Sequence, residues 1–334
     1  MRWPGPMTLR GLVPEPLAVA AARLREQAML MKQRRRLVRI ASYHRPPADA
    51  GALLSAVRGK NLVFTITAGR TGTVYLQRLL GLFPDTTSVH EPEPAFVSVL
   101  RLVQHAPERA RAFLLEYKLP FIATVQTRHY FEASHLFGKG FLEPALALGL
   151  MPRLVMLRRH PRRIALSYLA RNAVPGRTKL GFKYLLQPSD PGVLPLPDWT
   201  RRSAYQLCFW YGLEMERRQR AYTERMTALG GASVDVTAEE LHDVERFLDV
   251  ARTLHLLDPS TDLDAVRRHH RELSAVTHNP NRSVAAHRGA VDAEEDAVWA
   301  AVEPFAADLR RQVTTRYDGD RAQPARAAGE GGRR

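Results

Sequence analysis

Short apolar runs recur along the chain, and the best defined of them are followed by a turn and then by apolar residues at helical spacing. Residues 61–67 (NLVFTIT) and 154–157 (LVML) have the length and β-branched content of buried strands. Residues 74–82 and 162–171 follow them as amphipathic helices. Repeated strand–turn–helix units predict an α/β fold built on a mostly parallel sheet.

The N-terminal part predicts a separate helical element with a basic end. Between residues 15 and 40, apolar side chains recur at helical spacing, at Leu17, Ala21, Leu24, Ala28 and Met31. An arginine cluster at residues 34–36 follows. It indicates either contact with nucleic acid or an anionic membrane, or a packing helix with a solvated basic end. We favour the packing helix.

Composition narrows the class of protein. The 334 residues carry a net charge of +15, and the first 60 hold 12 Lys and Arg against 3 Asp and Glu, so the N-terminal arm is the most basic part. A hydrophobic content of 45% is typical of a folded core. Cys208 is the only cysteine, which excludes an intrachain disulfide. With neither a secretory signal nor a transmembrane run evident, we expect a cytoplasmic protein.

The loop after the first predicted strand has the composition of an anion site. Residues 68–73 (AGRTGT) place Gly69 and Gly72 where backbone must approach a ligand, and Arg70, Thr71 and Thr73 supply donors. The alternative to an anion site is an ordinary turn that connects the strand to the helix and binds no ligand. The loop lacks the lysine of a Walker A motif and the spacing of a dinucleotide motif, which disfavours an ATPase, a GTPase or a nicotinamide enzyme.

A second strand–turn–helix unit carries four arginines within six residues, at positions 158, 159, 162 and 163. Arg159 lies at the mouth of this unit, Pro161 suits the first position of a helix, and Ser167 lies two turns further on. The arginines indicate a second anion subsite, or else a solvated surface.

Together the two units resemble the sulfotransferases that use 3′-phosphoadenosine 5′-phosphosulfate (PAPS). Arg70-Thr71-Gly72-Thr73-Val74 resembles the family's 5′-phosphosulfate loop, and Arg159-His160-Pro161 with Ser167 resembles its 3′-phosphate motif. Residues 88–94, 130–140, 198–222 and 232–248 resemble further family segments. The resemblance implies a P-loop-like three-layer sandwich for residues 60–317. Periodicity and composition predict a basic helical extension with a linker over residues 1–59 and a disordered tail over residues 318–334.

The resemblance also implies roles. Arg70 and the backbone of residues 71–74 would stabilise the leaving phosphate, and Arg159 with Ser167 would hold the 3′-phosphate. Tyr75 stands where a tryptophan stacks on adenine in cytosolic members, and either His135 or Glu91 would be the general base. Lys139 is a further candidate charge donor. The family needs no metal, and the histidines show no ligand spacing.

Several features depart from the family or leave choices open. Val74 replaces a hydroxyl residue, and Ala238 stands where many members carry tyrosine. Residues 172–199 are rich in proline and glycine and are predicted to bind the acceptor, a hydroxyl or amine of a small molecule, lipid or saccharide. The rival hypotheses are a kinase-like nucleotide enzyme, an inactive sulfotransferase fold, and a polyanion- or membrane-surface-binding protein that uses its basic arm. We expect no specific nucleic acid.

Overall fold

A five-stranded, all-parallel sheet forms the centre of the protein, with strand order β2-β3-β1-β4-β5. The computed structural model describes residues 15–41, 49–276 and 291–317. The strands are β1 (Asn61–Ile66), β2 (Thr86–His90), β3 (His129–Ala133), β4 (Arg153–Arg158) and β5 (Ser233–Thr237). The prediction of an α/β fold with a parallel sheet is confirmed.

Helices precede, connect and follow the strands. They are α1 (Glu15–Ala41), α2 (Ala50–Arg58), α3 (Thr73–Leu80), α4 (Leu100–His105), α5 (Glu108–Phe113), α6 (Leu119–Thr124), α7 (Leu142–Ala147), α8 (Pro161–Ala170), α9 (Lys179–Tyr184), α10 (Ala204–Ala228), α11 (Val244–Thr253), α12 (Leu263–Ala275), α13 (Val291–Val302) and α14 (Leu309–Tyr317).

Helices cover both faces of the sheet, and alternate residues of β1 therefore belong to different cores. Leu62 and Phe64 belong to a cluster that includes side chains of α2, α7 and α10. Val63 belongs to a second cluster, formed with α3, α11 and α12. Strands buried on both faces are typical of parallel sheets in α/β proteins, and the arrangement is a three-layer sandwich.

The elements at the two predicted turns form close to their predicted bounds. The strand predicted at 61–67 is β1, and the strand at 154–157 is β4, which extends one residue further at each end. Pro161 begins α8, and the His160 side chain accepts a hydrogen bond from the Arg162 amide, which caps the helix. These turns form from local sequence, since proline and a capping side chain define a helix start without tertiary help.

Helix α1 forms where it was predicted, but its apolar face does not pack. Leu17, Leu24 and Met31 are each more than half exposed. The buried side is marked by Gln33, whose Oε1 accepts from the Arg101 amide and whose Nε2 donates to the Val97 carbonyl, each over 2.9 Å. The helix therefore packs on the protein through the side that carries Gln33, while Leu17, Leu24 and Met31 face outward.

The N-terminal boundary at residue 59 stays a prediction. Helix α2 ends at Arg58, and its Leu53 and Val57 enter the same core as β1, so this part of the extension is integral to the packing. The tail at 318–334 lies outside the described residues. No helix among those described combines the length and the apolar character needed to cross a membrane.

Candidate functional site

The site lies at the carboxyl ends of the strands, where the chain changes direction in the sheet. From β1 the chain continues to β2 and β3 on one side of β1 and then crosses to β4 and β5 on the other. Loops that leave β1 and β4 therefore part in opposite directions, which opens the crevice where open α/β sheets bind ligands. A cleft of about 810 Å³ lies here.

Nine of the ten predicted site residues line this cleft, and the tenth lies behind its wall. The lining residues are Arg70, Thr71, Gly72, Thr73, Val74, Tyr75, Glu91, His135 and Arg159. Ser167 is only 5% exposed and is absent from the lining. The two sequence motifs, 89 positions apart from Arg70 to Arg159, thus meet at one place.

The loop after β1 is held in a left-handed conformation that exposes a helix N-terminus. Gly69, Arg70 and Gly72 have φ values of 80°, 63° and 96°. The first helical bond of α3 runs from the Leu76 amide to the Gly72 carbonyl. The amides of residues 73–75 therefore have no acceptor within the helix, and they line the cleft with the positive end of the helix dipole.

Arg70 is oriented by one hydrogen bond and retains unused donor capacity. Its Nε donates to Ser167 Oγ over 3.1 Å. Its Nη2 is buried and has no hydrogen-bond partner among the described residues. Burial lowers the pKa of Arg70, and the nearby charge of Arg171 lowers it further. A partly buried cation with a buried, unpartnered donor atom is costly unless an anion completes it.

Arg159 supports the same loop from the other side. Its Nη1 donates to the Arg70 carbonyl over 2.5 Å. Burial lowers the pKa of Arg159, Glu239 opposes this effect, and the charges of Arg163 and Arg70 add to it. The two guanidinium groups therefore repel each other electrostatically, and a bound anion would relieve that repulsion.

The four arginines at positions 158, 159, 162 and 163 are weaker evidence for an anion site than their number in the sequence indicated. Three of the four are paired with carboxylates: Arg158 with Glu216 and Asp235, Arg162 with Asp292 and Glu295, and Arg163 with Glu239. Among the described residues, no carboxylate pairs with Arg159, Arg70 or Arg171. The positive charge of the cleft comes from these three.

The two candidate bases form a single pair. β2 and β3 are parallel neighbours, with His90 beside Ala133, so the residues that follow them emerge at the same edge of the sheet. There Glu91, at a φ of 47°, bonds through Oε1 to Nδ1 of His135. The sequence left a choice between these residues, and the structure joins them.

The charges of this pair are asymmetric. Burial opposes ionisation of Glu91, but its attraction to His135 and the hydrogen bond from that imidazole outweigh burial and lower the pKa to about 2. Burial lowers the pKa of His135, the charge of Lys139 adds to this effect, and Glu91 opposes it. The lowered pKa values of both groups favour a carboxylate beside a neutral imidazole at neutral pH. With Nδ1–H donating to Glu91, Nε2 is left as an acceptor.

Lys139 acts from behind the cleft wall. It is fully buried, its Nζ donates to the Tyr184 carbonyl over 2.7 Å, and it lies 5.1 Å from the ring centre of Tyr211. Lys139 does not line the cleft. As a charge donor it can therefore influence His135 only through its field.

Two tyrosines that the sequence analysis missed fix the strand end. The hydroxyls of Tyr168 and Tyr211 both donate to the Ala68 carbonyl, over 2.6 and 2.7 Å. A Cβ on Gly69 would lie 2.5 Å from the Tyr168 hydroxyl, so this position requires glycine for space as well as for conformation. Arg171, which follows α8 directly, was also missed. Its spacing of four residues from Ser167 could have indicated that the two side chains lie on the same side of the helix.

The opposite end of the cleft carries an aromatic pair. Tyr75 is 5% exposed, its ring stacks on His242 at 5.0 Å, and its hydroxyl lies 2.7 Å from Ser274 Oγ. His242 is itself exposed, and its ring covers part of the Tyr75 ring. Ala238 lies against Gly72: a Cβ placed on Gly72 would lie 2.7 Å from the Cβ of Ala238. Stacking of adenine on Tyr75 stays a prediction, and His242 is the exposed ring at this end.

The predicted acceptor segment contributes less than its composition indicated. Phe182, Leu185 and Leu186 are buried core residues, and Arg177 donates to backbone carbonyls at residues 200 and 202. These four residues have structural roles, so the prediction that they bind the acceptor is wrong. Leu180 and Tyr184 of α9 do line the cleft.

One cluster with metal-ligand geometry lies outside the cleft. Ligand atoms of Glu26, His105 and Asp190 come within 4.8 Å of one another. Asp190 already accepts two hydrogen bonds from Arg101, and Glu26 pairs with His105. The cluster is explained by these ion pairs.

Comparisons of the chain with protein-family models, with curated proteins and with solved structures found no match. Function is therefore inferred from the residues of the site itself.

Proposed function

We propose that the protein is a sulfotransferase that moves a sulfuryl group from PAPS to a hydroxyl or amine acceptor. One observation carries this proposal. Arg70 and Arg159 converge at the end of β1, each partly buried and without a carboxylate partner among the described residues, while Arg158, Arg162 and Arg163 are paired. Two partly buried cations at a helix N-terminus suit a ligand that carries two separated anionic groups.

The cleft offers a place for each part of such a nucleotide. Arg70 and the amides of residues 73–75 suit the phosphosulfate, and Arg159 suits the 3′-phosphate. His242 offers an exposed ring for the base. Arg70 lines the cleft, and its guanidinium can donate to the bridging oxygen, where negative charge develops as the S–O bond breaks.

The Glu91–His135 pair suits the role of general base. The acceptor oxygen or nitrogen attacks sulfur, the bond from sulfur to the phosphate oxygen breaks with its electron pair on that oxygen, and Nε2 of His135 takes the acceptor proton. Glu91 holds Nδ1–H and stabilises the imidazolium that forms. Leu180 and Tyr184 provide an apolar wall for the acceptor, which the site leaves open as a small molecule, a lipid or a saccharide.

A thermal-shift titration tests the proposal without knowledge of the acceptor. A ligand that binds only the folded state stabilises it by about 2.7 kcal/mol at 100 times its dissociation constant. Adenosine 3′,5′-bisphosphate should raise the melting temperature, and 5′-AMP should do so far less. If ATP–Mg²⁺ gives the larger shift, the kinase-like alternative replaces this proposal. If no nucleotide shifts the melting temperature, the donor assignment fails.

A further inference from the structure

Helix α1 exposes a continuous apolar stripe. Leu17, Leu24, Met31 and Val38 lie seven residues apart and are 59%, 67%, 58% and 72% exposed. Seven residues return a helix to within about 20° of its starting direction, so these side chains form one line about 30 Å long. They are four of the nine large hydrophobic residues that are exposed among the described residues. Single exposed apolar residues are ordinary, but an aligned set marks an interaction surface.

Basic side chains flank the stripe on both sides. Helical geometry places Arg23 and Arg34 along one border and Arg25, Lys32 and Arg39 along the other, and all five are exposed. Arg35 follows within the stripe near its C-terminal end. The whole helix has seven basic and two acidic residues. An apolar line between two basic borders is the pattern of a helix that lies in the plane of an anionic membrane surface, because long basic side chains reach the headgroups while the line enters the acyl boundary.

The opposite side of α1 is fastened to the protein. Gln33 bonds to the backbone at Val97 and Arg101, and Glu26 pairs with His105. These contacts orient the stripe outward. Glu26 is the only acidic residue of α1 whose side chain is described, and its pairing with His105 leaves the exposed face strongly positive.

Charge decides between the occupants that an apolar helix face can have. A second copy of the chain, packed stripe against stripe, would bring two sets of basic borders together with no acidic partners along them. An anionic bilayer complements those borders and accepts the apolar line at the same time.

We propose that α1 binds the protein to the surface of anionic membranes through Leu17, Leu24, Met31 and Val38 and the basic residues that border them. The contacts of α1 place this surface beside the proposed active site. Arg25 donates to the Arg177 carbonyl close to α9, and Arg36 pairs with Glu93, two residues from Glu91. Membrane binding through this surface does not require the proposed enzyme activity.

Co-sedimentation with lipid vesicles tests the proposal directly. The full chain should bind vesicles that contain phosphatidylglycerol at least tenfold more tightly than vesicles of phosphatidylcholine, and binding should weaken in high salt. Leu24→Gln with Met31→Gln should lower binding about tenfold or more. The control is Phe305→Gln, a large apolar residue elsewhere that is 52% exposed, which should leave binding unchanged within twofold.

A second pair of variants isolates the charge. Arg34→Gln with Arg35→Gln should weaken binding to the anionic vesicles severalfold. Removing the same charge from exposed positions of α12, with Arg268→Gln and Arg271→Gln, should change binding by less than twofold. Equal effects of the two pairs would indicate general electrostatic attraction and overturn the assignment to α1.

The other occupants give distinct results. If sedimentation equilibrium shows a dimer that Leu24→Gln with Met31→Gln converts to a monomer, the stripe is a self-association surface and the proposal is wrong. If the chain binds vesicles only after deletion of residues 1–14, that segment is the occupant in the full chain and the proposal again fails. Vesicle binding requires no nucleotide, so its failure would leave the proposed sulfotransferase function standing.

Discussion

The Nη1 of Arg159 donates to the backbone carbonyl of Arg70, which joins the turn after β4 to the loop after β1. The two residues lie at the mouths of separate strand–turn–helix units. Through this bond, and through the bond from Arg70 Nε to Ser167 on α8, the two units form one cationic site. The consequences of this coupling can be measured.

Ser167→Ala distinguishes a direct ligand contact from a positioning role. Since Ser167 Oγ accepts from Arg70 and does not line the cleft, its loss should release Arg70 and weaken nucleotide binding about three- to tenfold, the effect of about 0.5–1.5 kcal/mol for one hydrogen bond. The loss should be similar for adenosine 3′,5′-bisphosphate and for 5′-AMP, measured by calorimetry. A loss confined to the bisphosphate would show instead that Ser167 contacts the 3′-phosphate.

The two loops could be predicted from sequence because their signals are local. A β-rich run, two glycines and a proline at a helix start define the two turns within a few residues each, and Arg70 and Arg159 follow from their places in those turns. The bond from Arg70 to Ser167 spans 97 positions and has no local signal.

The pairing of Glu91 with His135 shows why the rest of the site was not predictable. It depends on β2 and β3 being adjacent and parallel, which places Glu91 and His135, 44 positions apart in sequence, at one edge of the sheet. The neutralisation of Arg158 and Arg162 depends in the same way on carboxylates from remote elements. The outward direction of the α1 stripe was not predictable, because periodicity shows that a helix has an apolar face but not what covers that face.

Nuclear magnetic resonance can detect the state of the His135 ring. Its pKa should lie below the ordinary 6.5, since burial disfavours the imidazolium, and above that pKa Nδ1 should carry the proton. Glu91→Gln should lower the pKa further, because the carboxylate is what favours the charged ring. A ring protonated on Nε2 at neutral pH, or a pKa that rises in Glu91→Gln, would contradict the assignment.

The same pair predicts the form of the pH–rate profile. A base acts in its neutral form, so turnover should be constant at neutral pH and fall as the pH drops through the lowered pKa of His135. The profile is measured as kcat from pH 4.5 to 8 with any hydroxyl acceptor that supports turnover. An acidic limb at or above pH 6.5 would show that another group limits the rate.

Substitutions of the pair should not act independently. His135→Ala should lower turnover about 100- to 10,000-fold by loss of general-base catalysis, and Glu91→Gln should lower it by a smaller factor. The double variant should match His135→Ala within about threefold, because residues that act as a unit are not additive. Nucleotide binding serves as the control and should be retained in all three. Losses that multiply would show two separate functions.

Gly69→Ala tests whether the loop tolerates a side chain. The new Cβ would lie 2.5 Å from the Tyr168 hydroxyl at a φ of 80°. The matched control is Gly192→Ala, which has a φ of 69° and nothing within 4 Å. The control should lose about 1–2 kcal/mol of unfolding free energy from the backbone conformation alone. Gly69→Ala should lose clearly more in denaturant unfolding, and nucleotide binding with it. Equal losses would mean that Tyr168 moves freely and does not fix the loop.

The most direct test of the central claim is a calorimetric titration of wild type, Arg159→Ala and Arg163→Ala with adenosine 3′,5′-bisphosphate and with 5′-AMP. Arg163 lies on α8, four residues after Arg159, and pairs with Glu239, so it controls for lost charge. Wild type and Arg163→Ala should bind the bisphosphate at least tenfold more tightly than 5′-AMP, as expected for one charge-assisted contact worth about 1.5–3 kcal/mol. Arg159→Ala should bind both nucleotides with equal affinity. A preference that survives in Arg159→Ala, or that is absent from wild type, would contradict the claim that Arg70 and Arg159 form a site for a nucleotide with two anionic groups.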